Sequence, residues 1–178
     1  MTTRTCVAAI VGFAVGFVQT ANAGDGMAEG FSGAQWVSLG GDEGRGTNIW
    51  FCARKSFSLD AAPTKAVARI AAESQYWLWV NGNLAVYAGG LKRGPNPRDT
   101  YYDEIDLATF LKKGTNTVAA LVWYWGKHGF SYNCSGRAGF LFDMDADGRR
   151  VASDATWKLL RHPAYGDTGK PHPEMILR

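Results

Sequence analysis

Apolar residues alternate with polar ones over short runs, and the runs are separated by Gly, Pro, Asn and Asp. The clearest case is residues 76–80 (YWLWV) and 84–87 (LAVY), which flank Asn81-Gly82. Asn-Gly between two apolar runs predicts a hairpin, because both residues tolerate the positive φ of a type I′ turn. Residues 66–72 alternate Ala66, Ala68, Ile70 and Ala72 against Val67, Arg69 and Ala71. That predicts a strand, although the alanine content also suits a helix. Residues 48–59 are rich in aromatics and interrupted by Arg54-Lys55, the pattern of a strand with one solvated side. This strand ends before Pro63, which cannot donate to a ladder.

Residues 115–125 (TNTVAALVWYW) form a continuous apolar, β-rich run and predict a central buried strand. Residues 138–144, 149–152 and 155–160 read as further strands, with a turn at 145–148. From Trp36 onward the pattern is strand, turn, strand. One helical turn is expected at 106–111 (DLATFL), with Asp106 as its N-cap and Lys112-Lys113-Gly114 as its stop. Short strands at intervals of about ten residues predict an all-β fold, an antiparallel β-sandwich over residues 35–162 with one short helix.

The first 23 residues fall outside that pattern. Arg4 precedes an apolar run of about a dozen residues, and Ala21-Asn22-Ala23 forms an A-x-A cleavage site. The expectation is a secretory signal at 1–23, a Gly-rich lead-in at 24–34, and a secreted or periplasmic protein. The alternative is an uncleaved anchor; once the signal is cleaved, no later run is long enough to span a bilayer. Removing the signal takes away Arg4 and no acid, so the formal charge falls from +3 to about +2. A charge that small and dispersed gives no case for nucleic acid or an anionic membrane as partner. Export permits a disulfide between Cys52 and Cys134; two buried free thiols are the other reading. Residues 133–135 also match a glycosylation sequon, which matters only in a eukaryotic secretory pathway.

Four stretches carry a family resemblance: Ala53-Arg54-Lys55-Ser56-Phe57, Tyr76 to Gly82, Tyr101 to Ala119 (YYDEIDLATFLKKGTNTVA), and Ser153 to Lys158. Together they make the chain resemble the N-terminal, accessory domain of bacterial α-L-rhamnosidases, over about residues 35–162. The frame VNG…D…LK-x-G-x-N also resembles sugar-binding domains of β-galactosidase-like enzymes. The loops GGLKRGPNPRDTYYD and WYWGKHGFS favour the rhamnosidase version. The resemblance implies a jelly-roll sandwich of the galactose-binding type. It also implies that rhamnose cleavage belongs to a separate α/α barrel, so no catalytic residue is carried onto this chain. Residues 163–178, with three prolines and no periodicity, read as a tail or a truncated linker. Two functions follow: a carbohydrate-binding accessory domain, or a structural domain of a truncated or split enzyme that binds no sugar itself. The partners implied are a rhamnose-containing or related glycan and a catalytic glycosidase domain.

The candidate chemistry is carbohydrate binding. Sugars stack their apolar faces on Trp and Tyr and pair their hydroxyls with Asp, Asn and Arg. Arg93, Asn96, Arg98, Asp99, Tyr101 and Tyr102 lie in the 89–106 loop; Trp125 and His128 open the 126–136 loop. If the 115–125 strand pairs near the strand that feeds the first loop, both loops reach one end of the sandwich. Strand length alone would instead bury Trp123 and Trp125. Trp36, Trp50, Trp77, Trp79 and Trp157 read as core or sheet-face residues.

A glycosidase needs two poised carboxylates. The densest acidic cluster is Asp99, Asp103, Glu104 and Asp106. Asp106 already serves as a cap and Asp103 as a loop anchor, so no catalytic pair is assigned. Asp143-x-Asp145-x-Asp147-Gly148 starts like a calcium loop, but the distal Glu is missing and Asp143 falls in an apolar strand. A plain turn is the simpler reading. Calcium as a cofactor is left open, with no metal ligand assigned. His128, His162 and His172 give no zinc pattern.

Overall fold

The computed structural model describes residue 31 and residues 33–90, 101–128 and 133–165. The 1–23 leader, Arg93, Asn96, Arg98 and Asp99, and the 166–178 segment lie outside the described residues.

Two antiparallel sheets face each other. One has five strands in the order β4-β3-β6-β1-β9: Asn83–Gly90, Gln75–Val80, Gly114–Tyr124, Ile49–Leu59 and Lys158–Arg161. The other has four, β5-β2-β7-β8: Asp103–Asp106, Ala66–Ala72, Phe140–Ala146 and Arg149–Ala152. The longest ladder joins β1 to β6 from Ile49↔Tyr124 to Leu59↔Gly114. It forms because both runs are rich in β-branched and aromatic residues, which fit a pleated, buried surface.

Alternation decides which side chains meet. Phe51 and Ala53 of β1, Tyr76 and Leu78 of β3, and Val118, Ala120 and Val122 of β6 point inward. They pack on Ala68 and Ile70 of β2 and on Phe140, Phe142 and Met144 of β7. Trp157 plugs the gap beside Phe140 and Phe142, its ring centroid 5.7 and 5.6 Å from theirs, and its indole N–H donates to the Ala152 carbonyl at 3.0 Å. Burying rings of this size is worth roughly 2–3 kcal/mol each, which makes this layer the main source of stability.

The Asn81-Gly82 hairpin is present, with φ of 51° and 83°. Asp147-Gly148 makes the same kind of turn between β7 and β8.

Between Trp36 and β1, Val37 makes one isolated bridge to Phe140, and Gly41–Gly44 form a 3-10 turn. The glycines there deny a ladder the side chains it would need. Residues 103–106 form an acidic edge strand, β5, in which Ile105 packs against the core and Glu104 stands outside. The helix expected at 106–111 is one 3-10 turn, Ala108–Phe110. Asp106 ends β5, and its Oδ1 accepts from the N–H groups of Ala108 and Ala66 at 2.9 and 3.0 Å. The last strand starts only at Lys158, since 155–157 is a turn.

Cys52 and Cys134 do not bridge. Cys134 carries a free thiol beside the main core, 2.7 Å from the Tyr124 hydroxyl. Cys52 points out of the opposite face of the same sheet, among Trp79, Leu121, Trp50 and Trp77. The β1 pleat separates the two sulfurs.

The calcium-like run is a turn whose carboxylates diverge. Asp143 forms a forked ion pair with Arg150, Asp145 accepts from the Gly148 N–H at 2.7 Å, and Asp147 accepts from the N–H groups of Thr64 and Lys65.

Candidate functional site

The two loops leave from one end of the sandwich. Gly90, the last residue of β4, pairs with Gln75; Gln75 pairs with Trp123, one residue short of the end of β6. The loop that starts at residue 91 and the loop that starts at Trp125 therefore share a root. Ser74, in the β2–β3 turn, joins them. Its Oγ accepts from the Trp125 N–H at 2.9 Å. Its carbonyl oxygen lies so close to Gly90 that a Cβ added there would sit 2.7 Å away.

Asp103 ties off the first loop. Its Oδ2 accepts from the Tyr76 hydroxyl at 2.9 Å and from the Gly90 N–H at 3.0 Å, so it clasps both ends of the 91–102 segment. Burial, with the Asp103 carboxylate next to it, pushes the Tyr76 phenol far above its usual range. Tyr76 therefore stays a neutral donor and holds the clasp across physiological pH. The loop-anchor role read for Asp103 holds.

Of the eight sugar-contact candidates, four are described. Tyr101 and Tyr102 stand 60% and 38% exposed at the mouth of β5, and Trp125 is 39% exposed at the end of β6. These rings are open at the loop end, where strand-length reasoning would have buried Trp125. Tyr102 also borders a shallow groove of about 330 Å³ between the end of β4 (Ala88–Gly90) and the start of β5 (Asp103–Ile105). Such a groove has the size of the smaller ligand pockets. Arg69 and Glu104, paired at 2.9 Å, stand exposed on β2 and β5 beside it.

His128 is exposed, and its Nδ1 accepts from the Cys134 N–H at 3.3 Å. With Nδ1 an acceptor, the neutral ring carries its proton on Nε2, which can donate to a hydroxyl. The backbone between Trp125 and His128 is held close to the 46–47 turn. A Cβ on Gly126 would lie 2.1 Å from the Gly46 carbonyl, and its φ is 75°. Trp123, expected in the core, lies instead half-buried on the outer face of the five-stranded sheet.

Sequence reasoning missed Ser74 and the Gly90 contact. The available signal was Gly89-Gly90 ending a strand, which marks a close approach of backbone. Among the described residues no group of three His, Cys, Asp or Glu is placed to hold a metal ion.

Comparison with known proteins agrees with this geometry. The chain is similar to the GH78 rhamnosidase of Bacillus sp. GL1, at 36% identity over 74% of this chain and 14% of the enzyme, with a TM-score of 0.65. It is similar to the α-L-rhamnosidase of Aspergillus terreus, at 25% identity over 66% of this chain and 15% of that one, TM-score 0.53. The apo lectin of Pleurotus ostreatus shares the fold alone, at 16% identity, 76% and 40% coverage and a TM-score of 0.52. No family model and no curated protein matches the sequence. The chain thus spans about one-seventh of the length of the rhamnosidases it matches, the size of one accessory domain. The resemblance read from the four sequence stretches holds.

Proposed function

We propose that this chain, similar to one domain of the GH78 α-L-rhamnosidases, is an exported carbohydrate-binding domain that holds a rhamnose-containing glycan and performs no chemistry itself. Ser74 carries the reading: it joins the roots of two loops that present Tyr101, Tyr102, Trp125 and His128 at one end of a rigid sandwich. Open aromatic rings beside polar donors are what sugar faces and hydroxyls require. The likeness to a domain of rhamnosidases supports L-rhamnose as the first sugar to test. Arg93, Asn96, Arg98 and Asp99 belong to the same loop and would complete the hydroxyl contacts. The leader at 1–23 would export the protein to where such glycans occur.

Calorimetric titration of the full chain with L-rhamnose, with and without calcium, tests this. The expected result is saturable binding in the millimolar range or tighter. Absence of binding at millimolar sugar in both buffers contradicts it.

A further inference from the structure

The outer face of the four-stranded sheet is covered in part by the chain that precedes the first strand. Ala71 of β2 and Leu141 of β7 lie in register and point outward, since Ile70, Ala72, Phe140 and Phe142 point into the main core. Phe31 is 5% exposed and packs with both, and Ala34 and Trp36 join them. The backbone after Phe31 is pinned. The Gln35 N–H donates to the Ser153 carbonyl at 2.8 Å, and the Ser153 hydroxyl donates to the Gln35 carbonyl at 2.7 Å. Val37 exchanges hydrogen bonds of 2.9 and 3.0 Å with Phe140. Phe31 also reaches the loop end. Its ring stands perpendicular to that of Tyr102, with centroids 5.3 Å apart and an interplanar angle of 88°. Tyr101, the neighbour of Tyr102, makes no ring contact among the described residues.

We infer that Phe31 is a positioning residue for Tyr102: buried against Ala71 and Leu141, it holds the tyrosine ring in one orientation at the sugar site. The inference rests on the carbohydrate-binding reading of the loop end. Phe31 is the one aromatic residue of the Gly-rich stretch 24–34. Its own ring is fixed by the sheet beneath it, so it is a rigid wall for a neighbour. Tyr102 is 38% exposed and would otherwise exchange rotamers in solvent. Perpendicular ring pairs are favoured by the opposite charges of ring edge and ring face. A ring already held before the sugar arrives loses no rotamer freedom on binding, which strengthens the contact. Tyr102 also borders the groove at Ala88–Gly90, so its orientation sets one wall of that groove. Any apolar side chain could cover Ala71 and Leu141; only a ring supplies the perpendicular partner. The sugar site thus extends to a residue that lies before the sandwich in sequence.

Phe31→Leu in the full chain tests it, because leucine keeps an apolar side chain on Ala71 and Leu141 and removes the ring. Affinity for L-rhamnose, read by NMR titration, should fall about fivefold, less than on loss of Tyr102 itself. In the Tyr102→Ala background the same change should leave affinity where it was, since the two residues act through one ring. Parental affinity in Phe31→Leu, or an equal loss in both backgrounds, overturns the inference. A second readout needs no sugar. The χ1 couplings of Tyr102 should report one rotamer in the parent and an average over rotamers in Phe31→Leu. One rotamer in both proteins, or averaging in both, overturns the inference. If the parent binds no L-rhamnose, the carbohydrate-binding reading fails, and the couplings alone decide whether Phe31 holds Tyr102.

Discussion

The two ends of the sandwich do opposite work. At the hairpin end, Asn116 is fully buried on β6 and makes four hydrogen bonds. Its Nδ2 donates to the carbonyls of Lys112 and Gly114; its Oδ1 accepts from the Lys112 N–H and from Asn81 Nδ2. Asn81 in turn donates to the Phe110 carbonyl and accepts from the Thr117 N–H. Asp106 and Asp147 pin neighbouring backbone there as well. At the loop end, Tyr101, Tyr102 and Trp125 are 60%, 38% and 39% exposed, and Ser74, Asp103, Asn48 and Gly126 hold the backbone beneath them. One end is closed on itself; the other presents partly exposed aromatic side chains. The VNG and LK-x-G-x-N stretches that carry the family resemblance belong to the closed end. They identify the fold and are silent about the ligand.

The largest effect is expected where the closed end is broken. Asn116→Ala removes four hydrogen bonds made by a fully buried side chain and should cost about 3 kcal/mol, read from the urea midpoint. Sugar affinity measured well below that midpoint should be unchanged.

Gly126→Ala strikes the loop end through its backbone. The added Cβ meets the Gly46 carbonyl at a positive φ, so a loss of about 2 kcal/mol is expected by thermal unfolding. Here sugar affinity should fall too, because Trp125 and His128 move with that backbone. A variant that loses stability and keeps full affinity would break the distinction between the two ends.

Acid should weaken the closed end first. Backbone N–H groups of Ala108 and Ala66 hold the Asp106 carboxyl below its ordinary value of 3.8, and those of Thr64 and Lys65 do the same for Asp147. Their stabilisation is complete above the unfolded value and is lost as pH falls through the depressed folded values. Unfolding midpoints measured from pH 6 to about pH 2 should therefore drop, and the drop should be shallower in the Asp106→Asn, Asp147→Asn double variant.

The smallest stability effects are expected from Tyr102→Ala and Trp125→Ala. Each side chain is a little over a third exposed, so each should cost about 1 kcal/mol, less than the two changes above. Sugar affinity should nonetheless drop by roughly tenfold in each, by loss of a stacking ring.

Much of the fold was legible because its signals are local. Asn81-Gly82 and the apolar run to Trp125 each specify a turn or strand without outside help, whereas the alanine-rich 66–72 needed a neighbouring strand to decide it. β5 was not legible, because DEID carries three acids and is a strand only by pairing with β2. In the 36–47 segment the apolar residues pack on the sheets, while the backbone meets β7 only at the Val37–Phe140 bridge among the described residues. The outer position of Trp123 was hidden because a continuous apolar run does not reveal that both faces of its sheet are apolar. At the site, composition pointed to Tyr101, Tyr102, Trp125 and His128. Ser74 could not be found, since a lone serine in a turn owes its role entirely to what lies across from it.

The central claim is that the loop end takes the sugar. Chemical-shift mapping of the labelled full chain during titration with L-rhamnose tests it most directly. Saturable shifts are expected at Ser74, Tyr101, Tyr102, Trp125 and His128, with Asn81, Asn116 and the Trp50–Trp77 face unmoved. Shifts confined to the hairpin end or to the outer tryptophan face, or no shifts at millimolar sugar, would contradict it.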